Sequence, residues 1–481
     1  MPIFTVGAAG TTSDSGFNVS NSLRFNSASS DSITITQGST TNRRTYTVSF
    51  WLKKTNTTAE QHPVFAGDLG GSNPYFDFRF DSSQIINWYH SDSSGNKEFN
   101  LKTNAMFRDP SAWYHFVLAL DTTQATDSNR VKLYVNGSQI TDFSEATYPA
   151  QNFDTAFNVS GYEVQFGAIR NNSPTLNGYM AEMILIDGQQ LTPSSFGESD
   201  EDSGIWKPKD VSDLTFGTNG FYLNVPGSST GQNANGLGGD SSGNDNHFAS
   251  SGLSAVDQSL DTPTNNYNIL NILTSRGGGT IEEGNLKYTA SGSDSSIFGT
   301  LGIPPGMKVY FEVKLTNNTA QNAIGIHNEY DPGGTFVKGG SASGMYSFKP
   351  RGSASVTQYF NDGSSTNTGT SNYANDTIIG VAVDNENGQI HYHVNGTYLN
   401  SSDPTDNNPA ALVTGFGGSS EQYLHFSLDT TSSQPINEYN FGSPSYSISS
   451  SNSDGNGHGN FEYAVPSGYY ALNTKNLAEF G

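Results

Sequence analysis

The run Trp113-Tyr114-His115-Phe116-Val117-Leu118-Ala119-Leu120-Asp121, followed by Arg130-Val131-Lys132-Leu133-Tyr134-Val135, Asn136-Gly137 and Ser138-Gln139-Ile140, decides the fold of this chain. The first segment is apolar at successive positions, the composition of a strand covered on both faces. Asn-Gly between two β-type runs marks a two-residue hairpin, because both central positions need positive φ. The same grammar continues outward. Upstream lie Ser22-Leu23-Arg24-Phe25, Ser32-Ile33-Thr34-Ile35-Thr36, Tyr46-Thr47-Val48-Ser49-Phe50-Trp51-Leu52 and the strictly alternating Tyr75-Phe76-Asp77-Phe78-Arg79-Phe80. Downstream, Gly178-Tyr179-Met180-Ala181-Glu182-Met183-Ile184-Leu185-Ile186-Asp187 reads as a strand leading through a turn into a short helical segment. Short strands at such spacing point to an antiparallel sandwich.

Composition agrees. Only 33% of the 481 residues are hydrophobic, but 29 Phe and 24 Tyr supply the burial that Leu and Ile usually provide, and aromatic burial favours strands. With 53 Gly and 14% charged residues, the chain lacks the material of long helices without being charged enough for disorder. A length of 481 residues suits two or three domains. The 45 Asp and Glu against 22 Lys and Arg give a net charge of -23, so nucleic acid and anionic membrane surfaces are not expected partners. The absence of Cys removes disulfides, thiolate zinc sites and thiol catalysis. The start of the chain has no basic stretch followed by an apolar one, and no membrane-spanning apolar run occurs, so neither a signal peptide nor membrane insertion is expected.

The second half changes vocabulary: Lys308-Val309-Tyr310-Phe311-Glu312-Val313-Lys314-Leu315, Ala323-Ile324-Gly325-Ile326, Ile378-Ile379-Gly380-Val381-Ala382-Val383-Asp384, then Gln389-Ile390-His391-Tyr392-His393-Val394 before a second hairpin at Asn395-Gly396. Between the halves, residues 205–280 are rich in Gly, Asn and Ser and end near Asp261-Thr262-Pro263-Thr264-Asn265-Asn266. The expected layout is all-β: two antiparallel jelly-roll sandwiches in series, with an N-terminal arm over 1–17, a first sandwich over 18–204, a connector over 205–280, a second sandwich over 281–447 and a C-terminal docking segment without a helix over 448–481.

Three quoted pieces, the Trp-Tyr-His strand, the Tyr-Val-Asn-Gly hairpin and the strand from Gly178 to Asp187, resemble in their order the laminin-G-like and pentraxin-like members of the concanavalin A superfamily. The strand succession of the second half resembles the SPRY fold. The Asp-Thr-Pro-Thr-Asn-Asn run, and the ending Pro466-Ser467-Gly468-Tyr469-Tyr470-Ala471-Leu472-Asn473-Thr474-Lys475-Asn476-Leu477, resemble segments of tailed-bacteriophage structural proteins. The resemblance to laminin-G-like folds implies calcium held by loop carboxylates, for which Asp68 and Asp127 are the candidates. Aromatic stacking on sugars makes Tyr75, Trp88 and Tyr89 candidates for glycan binding.

No catalytic residue is assigned. Glycoside hydrolysis on this fold needs paired carboxylates at alternate strand positions, and neither E-x-D-x-E nor E-x-D-x-x-E occurs; Glu198-Ser199-Asp200-Glu201-Asp202 reads as a solvated acidic turn. His115 reads as a satisfied core residue, His391 and His393 as surface or half-buried histidines, and the Asp240–Asn246 loop as a turn. These features together lead to the expectation of a non-enzymatic virion surface protein of a bacteriophage. It would attach to a host-envelope polysaccharide or protein, contact other virion proteins and assemble as a homotrimer or larger oligomer. The alternatives are a capsid decoration protein binding only virion proteins, a polysaccharide depolymerase, and a secreted lectin-like adhesin.

Overall fold

The apolar run Trp113–Asp121 forms a strand that hydrogen-bonds on one side to Thr45–Lys54 and on the other to Val131–Val135. Asn136 and Gly137 adopt φ 47° and 80° and turn the chain onto Ser138–Gln139. Around this nucleus the computed structural model describes residues 16–69, 71, 74–170, 175–291, 295–330, 343–351, 356–406, 411–428 and 434–481. Two compact units meet in sequence between Thr264 and Asn265. Of the arm expected over 1–17, residues 1–15 lie outside the described residues.

The first unit contains β1 (Ser22–Phe25), β2 (Ser32–Thr36), β3 (Thr45–Lys54), β4 (Gln61–Gly67), β5 (Tyr75–Phe80), β6 (Ile85–Ser91), β7 (Lys97–Met106), β8 (Trp113–Asp121), β9 (Val131–Val135), β10 (Ser138–Gln139), β11 (Phe143–Thr147), β12 (Glu163–Phe166), β13 (Gly178–Asp187), β14 (Gly197–Ser199), β15 (Trp206–Pro208), β16 (Phe221–Leu223), β17 (Ala249–Ser251) and β18 (Gln258–Ser259). One sheet runs β10-β9-β8-β3-β13-β1-β18, with β16 also on β13; the other runs β11-β7-β6-β5-β4-β12-β2-β17. Alternation decides which side chains meet between them. Phe76, Phe78 and Phe80 point into the core, where the Phe116 ring lies 5.4 Å from Phe78 and 5.5 Å from Phe50. Their neighbours Tyr75, Asp77 and Arg79 therefore share the opposite face.

Of the connector with short strands expected over 205–280, the part up to Thr264 belongs to the first compact unit and the part from Asn265 to the second. β16, β17 and β18 add to both sheets of the first unit, and the Asp-Thr-Pro run is anchored there by buried ion pairs. Arg24 meets Asp257 at 3.0 Å and Lys53 meets Asp261 at 2.7 Å, both cations fully buried. Trp113 Nε1 donates to the second Asp261 oxygen at 3.0 Å. Burial pushes the Lys53 ammonium below its usual pKa against the pull of Asp261.

The second unit contains β19 (Thr280–Glu282), β20 (Lys287–Thr289), β21 (Ser295–Ile303), β22 (Lys308–Asn317), β23 (Asn322–His327), β24 (Met345–Arg351), β25 (Val356–Asn361), β26 (Ser364–Ser371), β27 (Thr377–Asp384), β28 (Gln389–Val394), β29 (Thr397–Tyr398), β30 (Val413–Thr414), β31 (Gln422–Leu428) and β32 (Ile436–Asn440). Its sheets run β19-β20-β32-β22-β27-β28-β29, with β30 on β28, and β21-β31-β23-β24-β25-β26. Phe311, Phe426, Tyr439 and Phe441 lie in the core between them. The C-terminal segment docks on this same unit rather than standing apart. Tyr470 exchanges backbone hydrogen bonds with Lys308 and Tyr310, and Leu472 and Leu477 enter the core. Contrary to expectation it ends in a helix, α1 (Thr474–Phe480), whose N-cap Asn473 accepts a hydrogen bond from Asn476 N. Among the described residues no helix is long and apolar enough to cross a membrane.

Candidate functional site

The outer face of the β11–β17 sheet carries a row of polar side chains that the strand register sets side by side. Phe65 on β4 lies opposite Asp77 on β5, Asp77 opposite Tyr89 on β6, Tyr89 opposite Asn100 on β7, and Asn100 opposite Thr147 on β11. One position along, Asn87 faces both Arg79 and Lys102. Their sequence neighbours Phe76, Phe78, Trp88, Phe99 and Leu101 all point into the core, which fixes this row on the other face.

Hydrogen bonding in the row is incomplete. Asp77 Oδ1 pairs with His62 Nδ1 at 2.8 Å; His62 Nε2 faces Glu60 at 2.9 Å, and Glu60 takes Arg79 at 2.8 Å. Asp77 Oδ2, Asn87 Oδ1, both amide atoms of Asn100 and Arg79 Nε are buried with no partner among the described residues. A buried polar atom left unpaired costs about 1–3 kcal/mol. Four side chains on three adjacent strands carry such atoms, so this layer has buried hydrogen-bonding capacity that the described residues do not use.

Tyr75 and Tyr89 border this row, their hydroxyls 3.4 Å apart and their rings edge-on at 5.8 Å. Cationic groups lie over both rings: Arg170 4.4 Å from the Tyr75 centroid, Lys97 4.7 Å and Arg79 5.2 Å from that of Tyr89. Burial, then the charge of Asp77, pushes the Tyr89 phenol up, so it stays a neutral hydroxyl. Trp88, the third expected stacking residue, is fully buried and packs edge-on against Phe76 and Phe99. The correction follows from register: Trp88 lies opposite Phe78, an inward position.

The calcium candidates sit in loops of different sheets. Asp68 follows β4 and Asp127 lies in an exposed 3-10 turn after β8, its carboxylate accepting from Ser128 N at 2.7 Å. Among the described residues neither joins a group of three metal-ligating side chains. The Asp240 loop closes on itself: its carboxylate accepts from the backbone of Tyr222, Ser242 and Asn246 and from Ser242 Oγ. The acidic turn at Glu198–Asp202 links β14 to β15, with Asp200 paired to Lys207 at 3.0 Å.

His115 is buried between Trp51 and Trp206, centroids 4.8 and 6.0 Å away. Trp206 Nε1 donates to its Nδ1 at 3.0 Å, which leaves the proton on Nε2, 2.8 Å from Ser49 Oγ. A ring protonated there donates to the serine and does not act as its base. His391 and His393, expected at or near the surface, are both buried, and His393 lies across Gly380, where a Cβ would come within 1.8 Å of its Nε2. Burial lowers its pKa to about 4.

One group escaped the sequence reading. Glu182 sits at a β-bulge of β13, where register with β3 shifts between Ala181 and Ile184, and has φ 51°. Its buried carboxyl accepts from Tyr222 OH at 2.6 Å, and burial raises its pKa to about 7.

Residues 27–194 match the concanavalin A-like lectin/glucanases superfamily, and residues 308–429 match the SPRY domain. No curated protein matches the chain. Among solved structures, similarity is found to domains LG4-5 of the mouse laminin alpha1 chain (8% identity, 88% of this chain and 86% of that one, TM-score 0.28). It is also found to the SPRY domain of human HERC1 (11% identity, 35% and 96%, TM-score 0.26) and a putative carbohydrate binding protein from Bacteroides ovatus (13% identity, 49% and 58%, TM-score 0.30). The chain thus carries a concanavalin A-like domain and a SPRY domain in series.

Proposed function

We propose that this chain is a non-enzymatic recognition protein whose first unit binds glycan on the face formed by Asp77, Asn87, Tyr89 and Asn100. The observation that carries this reading is the set of buried, unpartnered polar atoms on those adjacent strands. Sugar hydroxyls both donate and accept, so a glycan that displaces the side chains covering these buried atoms would find an amide N–H on Asn100 and oxygens on Asn100, Asn87 and Asp77. The lectin family match over the same unit supports the reading. Retaining hydrolysis needs two carboxylates about 5 Å apart; the alternate neighbours of Asp77 on β5 are Tyr75 and Arg79, and its Oδ1 is held by His62. That arrangement favours binding over cleavage.

The wider assignment is a bacteriophage virion surface protein contacting the host envelope. It rests on the resemblance of the Asp261–Asn266 run and the C-terminal ending to phage structural proteins. Repeated copies, in a trimer or larger assembly, would convert weak single-site binding into avidity. The test is retention of the purified protein on host-envelope polysaccharides, with the supernatant assayed for released sugar. Saturable retention without release is expected. Release of oligosaccharide would make the chain a depolymerase, and absence of glycan retention together with capture of virion proteins would make it a decoration protein.

A further inference from the structure

Several Lys and Arg side chains of the chain, Arg108, Arg130 and Lys132 among them, stand without an ion pair among the described residues, so position rather than the lack of a partner marks a candidate. Two such cations lie beside the tyrosine pair. Arg79 is paired with Glu60, but Lys97 and Arg170 form no ion pair among the described residues, although each lies over a tyrosine ring. Arg170 Nε is also buried without a hydrogen-bond partner. Carboxylates are present nearby: Glu145 and Asp77 act on Lys97 through space, but neither contacts it. Burial lowers the Lys97 ammonium from its ordinary pKa, the direction an incoming anion would reverse. Arg170 additionally holds φ 48°, a backbone conformation unfavourable for a side chain of its size.

We propose that the ligand of this face is an anionic glycan, whose carboxylate or sulfate is received by Arg170 and Lys97 beside Tyr75 and Tyr89 while its hydroxyls pair with Asn100, Asn87 and Asp77. The inference rests on the glycan-binding reading above and specifies its substrate class. Arg presents a planar fork suited to two oxygens of a carboxylate or sulfate, and Lys adds a point charge. The rings beneath hold both cations in place through cation–π contact, which lowers the entropy lost on binding. A neutral sugar would leave both cations with only their ring contacts and solvent.

The experiment uses the full chain and an immobilised panel of uronate-, sialate- and sulfate-bearing polysaccharides. Each is paired with its neutralised form, by carboxyl reduction or by desulfation. Binding to at least one anionic member is expected, falling tenfold or more on neutralisation, with the arm that loses binding identifying the anion. Arg170→Gln should bring the anionic form down to the level of its neutral counterpart and flatten the salt dependence. Equal binding of an anionic member and its neutralised form, or binding to neutral members alone, would overturn the inference and leave the glycan reading intact. Binding to no member would remove both.

Discussion

Both units bury a carboxylate on the outer face of a sheet, and the two are treated in opposite ways. In the second unit Glu312 is saturated: it accepts from Glu462 N at 3.0 Å, Tyr463 N at 2.8 Å, Tyr310 OH at 3.0 Å and Asn440 Nδ2 at 3.1 Å. The chain's own C-terminal segment supplies two of the four donors. In the first unit Asp77 has His62 on one oxygen and, among the described residues, no partner on the other, and Asn100, two strands away, has no partner there for its amide. A saturated buried carboxylate holds architecture together, whereas a row of unsatisfied groups is maintained at a cost to stability that binding can recover. On the proposed reading the Glu312 face is architectural and the Asp77 face is the recognition surface, although unpartnered buried atoms occur in the second unit as well, at Ser347, His425 and Asn437.

The largest effect that would break this contrast is at Glu312. Glu312→Ala leaves four donors without an acceptor, and the second unit should lose about 3–5 kcal/mol, read by urea denaturation. A loss below about 1 kcal/mol would mean that the C-terminal segment does not depend on this carboxylate.

Glu182 lies between the two cases, with one donor, Tyr222 OH. Its pKa is raised from 4.5 to about 7 in the folded state, so folding favours the protonated acid. The stability this supplies is full below pH 4.5 and is lost as pH rises towards 7. Glu182→Gln should therefore match the parent at pH 4 and exceed it by roughly 3 kcal/mol at pH 8, from about 1.4 kcal/mol per pKa unit. Thermal melts at the two pH values give the answer, and equal gains at both would refute the buried-acid account.

Asn100→Leu should act in the opposite sense to Glu312→Ala, raising stability by about 1–3 kcal/mol because an unpaired buried amide is replaced by an apolar group of similar volume. A destabilised variant would show that the amide is satisfied within the protein. The smallest effect belongs to Asp384. Burial opposes its ionisation, but donors on Asn387 and Lys308 hold its carboxyl below the ordinary range. That contribution is present above about pH 4 and lost below it, so Asp384→Asn should cost under about 1 kcal/mol at pH 7 and nothing near pH 2, measured by chemical denaturation at each pH.

Much of the fold was legible because its signals are local. Two-residue Asn-Gly turns, the strand Trp113–Asp121 and the alternation of Phe76, Phe78 and Phe80 need no knowledge of partners. The boundary after residue 204 was not legible, since β16 to β18 are two or three residues long and lie among Gly, Asn and Ser. For α1, the local signal of Asn473 followed by Thr474-Lys475-Asn476-Leu477 was present and outweighed by the surrounding turn residues. Of the residues on the proposed face, only the aromatics carried a local signal. Tyr75 and Tyr89 were found as aromatics, but separating Trp88 from them required the pairing with Phe78. Asn100 carries no signal in sequence: it joins the proposed face only because the register of β6 on β7 sets it beside Tyr89. Glu182 did have one, as an acidic residue within the apolar run Gly178–Asp187, which marks a bulge or a special partner.

The central claim is that the unsatisfied row of the first unit is a glycan-binding face, and the most direct measurement is to determine polysaccharide affinity and melting temperature together for the parent and Asn100→Leu. The variant should melt higher and bind at least tenfold more weakly. A variant that binds as tightly as the parent would contradict the claim.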